Sequence, residues 1–275
     1  MKIAFKIEPS ADQNVALHLI TEVGDTDISF LIFSTTPFKM EGLFSLSFEK
    51  NTLPNNYIEE IKKYIQETVC LQEINLSSSK VFYNFSNSTL IPAQYFIEDE
   101  KQQMLDQLFG PDITRICFQE SCQQKDIKNI YSVPAVIHNS LIKLYPSNNF
   151  AHSTSYQINN NNDSVLHCII YNSSIKVIFF IEGQLQIIQY FDYTTPADVC
   201  YHILNVAERF EMTASTLTLS LSGMIDVNST LYQELYKYFL HIKFAETKDV
   251  MLSESFQELP THFYHHLTAL ANADN

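Results

Sequence analysis

The residues best suited to chemistry stand together early in the chain, at Glu22-Val23-Gly24-Asp25-Thr26. A carboxylate beside a glycine at a turn is a pattern that serves phosphates. The acid holds the water shell of a magnesium ion, and a residue without Cβ lets backbone N–H groups approach phosphate oxygens. A lone glycine also lies in Ser220-Leu221-Ser222-Gly223-Met224. Taken as a nucleotide site, Glu22, Gly24, Asp25, Thr26 and Gly223 would bind ATP with magnesium. The plainer reading is stronger. Gly24-Asp25 between two apolar runs is what a hairpin turn asks for, and five glycines in 275 residues leave little material for a phosphate cradle. The expectation is therefore no cofactor, no metal and no catalytic residue.

Other chemistries fare worse. Cys117 and Cys122 form C-x4-C with no second pair and no nearby histidine, so inert buried thiols are expected. His262, His265 and His266 sit at helical spacing, and two of them could share a metal; a solvated terminal helix is the expected reading. A two-metal nuclease needs an Asp inside its first strand, and Val15–Thr21 has none. No nucleophile elbow marks a serine hydrolase.

The formal net charge is −14, with 45% apolar and 17% charged residues. That is a globular composition. The acidic balance argues against nucleic acid and against anionic membranes as partners, since both call for clustered Lys and Arg. The apolar stretch Ser174 to Ile188 is broken by Lys176, Glu182, Gln184 and Gln186, too polar to span a bilayer. The opening Met1-Lys2-Ile3-Ala4-Phe5-Lys6 carries no signal-peptide pattern. Five cysteines at 70, 117, 122, 168 and 200 make no disulfide framework, and a reducing cytoplasm is expected.

The elements that must position the turn residues follow from periodicity. Val15–Thr21, Ile28–Ser34 and Lys39–Phe48 are expected as strands, the last with Phe44, Leu46 and Phe48 on one face. A helix is expected from Pro54 to Val69, with Ile58, Ile61 and Ile65 as its stripe. Then come a strand at Lys80–Phe85, a helix from about Glu98 to Phe109, strands at Ile113–Phe118 and Asn129–Val133, and a helix from Pro134. The polar run Asn159-Asn160-Asn161-Asn162-Asp163 is the expected boundary, giving halves 1–158 and 159–275. The second half repeats the order: strands Val165–Tyr171, Ile175–Ile181 and Leu185–Tyr193, a helix capped by Thr195, a strand Thr216–Leu221, a helix Ser229–Phe239 and a strand His241–Phe244.

Three strands, helix, strand, helix, strand is the order of a ribonuclease H-like lobe. Two in tandem make the actin-like ATPase architecture, an α/β fold with mixed five-stranded sheets flanked by helices. The runs Asn87-Ser88-Thr89-Leu90-Ile91-Pro92-Ala93-Gln94-Tyr95-Phe96, Ile130-Tyr131-Ser132-Val133-Pro134 and Gln189 to Leu204 resemble motifs of the bacterial domain-of-unknown-function family 3822. The resemblance spans about Asn14 to Phe244 and implies an actin-like ATPase fold with no assigned activity. In such folds each first strand typically ends in Asp-x-Gly. Here the first place reads Glu22-Val23-Gly24-Asp25-Thr26, and the second reads Tyr171-Asn172-Ser173-Ser174, with neither Asp nor Gly.

The expected function is a non-catalytic cytoplasmic scaffold or protein-binding module, a pseudoenzyme engaging an unidentified protein partner or itself. The alternative is a weak nucleotide-binding ATPase or kinase-like enzyme using the inter-lobe cleft.

Overall fold

The computed structural model describes residues 1–9, 15–68, 71, 76–122, 126–146, 149–158, 163–247, 250–256 and 259–272. The expected boundary at 159–162, the end of the first expected helix at Val69, and Cys70 lie outside the described residues. The chain divides into two compact units. The first is Met1–Tyr156 with Asp249–Glu258 and Leu270–Asn275, and the second is Gln157–Lys248 with Leu259–Ala269.

The first unit opens with β1 (Lys2–Ile7), β2 (Leu17–Gly24), β3 (Asp27–Thr35) and β4 (Phe38–Ser47). β2, β3 and β4 form an antiparallel meander, and β1 lies antiparallel on the outer edge of β4. Helix α1 (Pro54–Glu67) begins at a proline, whose missing N–H has no partner in a first turn anyway. It buries Tyr57, Ile58, Ile61 and Tyr64, which meet Phe44, Leu46 and Phe48 of the sheet in one core. β5 (Leu76–Asn84) then runs parallel to β2.

Next comes a segment that is more than one strand and one helix. β6 (Ser88–Pro92), α2 (Lys101–Phe109), β7 (Arg115–Ser121) and β8 (Ile127–Pro134) give a separate three-stranded antiparallel sheet with β8 in the middle. α2 stops at Gly110, whose φ is +83°. α3 (Ala135–Leu144) follows, with Pro134 as its cap and not its first residue. β9 (Asn149–His152) pairs parallel with β5, and one turn of helix, α4 (Ser153–Tyr156), closes the unit.

The second unit contains β10 (Val165–Ile170), β11 (Ser174–Ile181), β12 (Gln184–Asp192), α5 (Pro196–Arg209), β13 (Thr218–Gly223), α6 (Thr230–Tyr236) and β14 (His241–Phe244). Its sheet order is β12-β11-β10-β13-β14, with β10–β12 antiparallel and β13 and β14 added in parallel. The first unit has the same order in β4-β3-β2-β5-β9, extended by β1 and by β15 (Met251–Leu252), which also pairs with β4. In the second unit this follows the expected element order; in the first, the expected strands Ile113–Phe118 and Asn129–Val133 lie in the separate sheet and β9 takes the fifth place, while the added edge strands make the first sheet seven-stranded. β1 has a mixed polar sequence, Lys-Ile-Ala-Phe-Lys-Ile, so it gives a weak strand signal on its own.

Period-two alternation divides the second sheet by face. Leu166, Cys168, Ile170, Leu219 and Leu221 point into a core closed by Val199, Ile203 and Val206 of α5 and by Leu231 and Leu235 of α6. The intervening residues His167, Ile169, Ser220 and Ser222 therefore belong to the opposite face. The final helix, α7 (His265–Asn272), follows a short 3-10 turn at Thr261–Phe263. Thr195 caps α5, as the sequence predicts, and Asp198 adds the reciprocal half of a capping box. No helix among the described residues is long and apolar enough to cross a membrane.

Candidate functional site

The residues expected at the first turn do not all reach it. β2 continues through Glu22 to Gly24, so Glu22 is a buried strand residue paired with Ser29 and Phe82. The turn itself is Asp25-Thr26, and neither residue nor Gly24 has a positive φ. Space at Gly24 is tight but not closed: a Cβ there would stand 3.3 Å from the carbonyl oxygen of Asn84 on β5. Thr26 Oγ1 donates to Asp27 Oδ2 at 2.8 Å, and Asp25 Oδ2 accepts the backbone N–H of Ser86 at 2.9 Å.

Tyr57 holds this turn, and Arg115 is close enough to feel the charge of Asp25. The Tyr57 hydroxyl lies 3.1 Å from the carbonyl oxygens of both Gly24 and Asp27 and shares its O–H between them. Burial, followed by the charges of Asp27 and Asp25, pushes its pKa well above the phenol range. Arg115 donates to Ser132 Oγ at 2.9 Å and to the Ser132 carbonyl at 2.7 Å. Burial lowers its pKa, while Asp25 and Asp112 pull the other way.

The matching turn of the second unit, Tyr171-Asn172-Ser173, is closed by its own backbone. Tyr171 N–H donates to the Ser174 carbonyl at 2.9 Å, and Tyr193 N–H to the Ser173 carbonyl at 3.0 Å. The Tyr193 hydroxyl donates to the Tyr171 carbonyl at 2.8 Å. Gly223 ends β13 with φ +82°, and a Cβ there would lie 2.2 Å from the Ile170 carbonyl oxygen. Packing between the ends of β10 and β13 therefore accounts for this glycine.

The C-terminal histidines correct an expectation. They are not on a solvated helix: His262 and His266 are buried, and His262 Nε2 lies 2.7 Å from the Ile225 carbonyl. The sequence signal failed because polar histidines at helical spacing look alike whether they face water or a polar cavity wall. Among the described residues no group of three or more His, Cys, Asp or Glu is placed to hold a metal. Cys122, Cys168 and Cys200 are buried free thiols and Cys117 is partly exposed. Burial raises all four pKa values, so none is primed as a thiolate at neutral pH.

The second unit holds a feature that sequence reasoning missed. On the sheet face opposite α5 and α6 is a cavity of about 450 Å³, within the size range of small-ligand pockets. Its polar lining is Gln157, His167, Ser220, Ser222, His265 and His266. Ile178 and Phe180 supply apolar wall, and Lys243 and Glu246, both exposed, stand at its margin. Beside Gln157 is Lys176, fully buried in β11, whose Nζ donates to Gln157 Oε1 at 2.6 Å. The signal in the sequence was a His and a Lys each set inside an otherwise apolar strand, Val165–Ile170 and Ser174–Ile181.

Burial, with His265 and Lys243 adding to it, lowers the pKa of His167 to about 4. Burial, with His265 and then Lys176, lowers that of His266 to about 3. His265 is lowered by burial. The cavity wall is thus a set of neutral imidazoles, each with one donor and one acceptor nitrogen.

Comparison with known proteins places the chain. The family described as Protein of unknown function (DUF3822) matches residues 8–242, and the chain belongs to it. Among curated proteins none matches in sequence. A crystal structure from Bacteroides thetaiotaomicron VPI-5482, a protein with actin-like ATPase fold and unknown function, superposes with a TM-score of 0.76 at 17% identity, covering 96% of this chain and 99% of that one. The PilM-PilN type IV pilus biogenesis complex superposes with a TM-score of 0.59 at 11% identity, covering 96% and 100%. At such identities the likeness is one of fold: the chain has the actin-like ATPase fold.

Proposed function

We propose that this DUF3822 protein is a non-catalytic actin-like-fold module of the cytoplasm that engages a protein partner or a second copy of itself. The observation that carries the reading is the second turn. Its place in the fold is where a phosphate-binding hairpin is expected, yet Tyr171-Asn172-Ser173 carries no Gly or Asp, and its carbonyls are capped by Tyr193 and its own strand. Asp25, the one acid in the first turn, spends an oxygen on the Ser86 N–H. A phosphate at this turn would gain the Tyr171 and Tyr193 N–H groups as donors only by breaking their bonds to Ser174 and Ser173. The PilM-PilN complex, built on a similar fold, supports reading such a fold as a platform for assembly.

The test is a thermal melt of the purified chain with and without millimolar ATP and magnesium, together with sedimentation of the protein alone. No shift in Tm is expected, because a ligand raises stability only in proportion to its occupancy of the folded state. A saturable rise in Tm that Gly24→Trp abolishes would overturn the proposal and establish the nucleotide-binding alternative at Glu22, Gly24, Asp25 and Thr26.

A further inference from the structure

We infer that the outer edge of β12 is a dimer interface, where this strand pairs antiparallel with β12 of a second copy of the chain. The inference rests on the reading of the protein as a binding module and names one of its surfaces and the occupant.

An edge strand presents backbone N–H and C=O groups that another chain can pair with, and natural sheets blunt such edges with charged side chains, proline or shortness. Among the described residues, β1 carries Lys2 and Lys6, and β14 carries Lys243 within four residues. β6 ends in Pro92, β7 carries Arg115 and Glu120, β9 has four residues and β15 has two. β12 has none of these devices. Its nine residues read Gln-Leu-Gln-Ile-Ile-Gln-Tyr-Phe-Asp, uncharged over 184–191 and without proline. Ile, Tyr and Phe at such density suit a paired strand.

The first unit shows what an edge in this position accepts. β4 and β12 are the third strands of equivalent meanders. β4 carries β1 antiparallel on its outer side, Lys2 facing Ser47 and Ile7 facing Leu43, and its Met40, Leu43, Phe44 and Leu46 are buried. β12 pairs with β11 alone among the described residues, and none of its nine residues is buried. Leu185, Ile187, Ile188, Tyr190 and Phe191 are half-buried and alternate between the two faces, so an added strand covers apolar surface on both. Gln186 Nε2 donates to the Gln184 carbonyl at 3.1 Å and Gln189 Nε2 to the Tyr190 carbonyl at 3.4 Å. A pairing strand exchanges such exposed local bonds for ladder bonds.

Charge and symmetry select the occupant. Two copies carrying −14 each repel wherever acids meet, and the uncharged run 184–191 is a place where they can approach. A strongly basic or acidic partner strand would find no counter-charge along that run. With the two-fold axis at Ile188, Gln189 or Tyr190, Asp192 faces Gln184, Gln186 or Ile188 of the other copy and not its own counterpart. Each copy has one such edge, so pairing closes at two.

The experiment is sedimentation equilibrium of the full chain over about 1–200 μM, the range suited to a small interface. A reversible monomer–dimer equilibrium is expected. Backbone amides over 184–192 are expected to exchange with deuterium more slowly as the dimer forms. The double variant Gln186→Lys, Gln189→Lys gives this edge the lysines that other edges carry. It is expected to weaken the dimer by roughly tenfold or more, through lost cross-strand pairing and like-charge contact. Gln103→Lys with Gln233→Lys makes the same charge change at exposed positions of α2 and α6 and is expected to leave association unchanged. Should the edge variant not fold, amide protection in the unaltered chain decides alone. A chain monomeric throughout, a dimer without protection over 184–192, or a dimer indifferent to the edge lysines would overturn the inference. A monomeric chain whose melt ignores ATP would remove the dimer alone and leave the binding-module reading standing, whereas a saturable ATP shift strikes that reading and not the dimer.

Discussion

A side chain of any size at Gly223 would place its Cβ 2.2 Å from the carbonyl oxygen of Ile170, the residue it faces across the parallel pair β10–β13. In the first unit the corresponding pair ends in Gly24 facing Asn84, and there the glycine is on the other strand, with 3.3 Å to the Asn84 oxygen. Both sheets thus keep one glycine where two parallel strands finish side by side, but the two differ in severity.

That difference gives the first prediction. Gly223→Ala must shift backbone and also hold Ala at φ +82°, so it is expected to cost about 3 kcal/mol or more. Gly24→Ala needs only a few tenths of an ångström from its neighbour and is expected to cost about 1 kcal/mol. Urea unfolding of the two variants measures the gap; equal losses would contradict the packing account.

The second concerns pH. His167 and His266 have folded pKa values of about 4 and about 3, below the ordinary 6.5. As pH falls below 6.5 the unfolded chain takes up protons that the folded chain refuses, so stability is full above 6.5 and declines toward pH 4. Each histidine adds a slope of up to about 1.4 kcal/mol per pH unit across that window. His266→Gln should flatten the profile between pH 6.5 and 4.5, and an unchanged slope would show that its burial is not the cause.

The third tests the three-stranded sheet of the first unit. Asn129, fully buried on β8, accepts from Ser88 Oγ at 2.8 Å and donates to Ser155 Oγ at 3.0 Å. Asn129→Ala removes both bonds and leaves a gap, with an expected loss of about 2–3 kcal/mol in chemical denaturation.

The fourth tests a local cap. Thr195→Ala removes the side-chain acceptor for the Asp198 N–H at the start of α5 and is expected to cost about 1 kcal/mol, seen as a lower Tm. Asp198, whose pKa is lowered by the backbone N–H groups of Thr194 and Thr195, keeps its own half of the box in that variant.

The sequence by itself determined the element order of the second unit, because Thr195-Pro196-Ala197-Asp198 and the alternating strands around it encode local geometry in adjacent residues. It also determined that the turn at 171–174 lacks Gly and Asp. Only the tertiary structure decided the rest. It placed Glu22 inside a strand, recruited Lys2–Ile7 and Met251–Leu252 to the edge of β4, and set Ser88–Pro92, Arg115–Ser121 and Ile127–Pro134 in a sheet of their own. Strand pairing depends on partners distant in the chain, and no local period reports them. For the same reason the cavity was not legible. His167, Lys176 and Gln157 lie on separate segments, and His265 and His266 are about a hundred residues further on. Each polar residue alone reads as an exception in its segment; only packing them on one sheet face makes them a site.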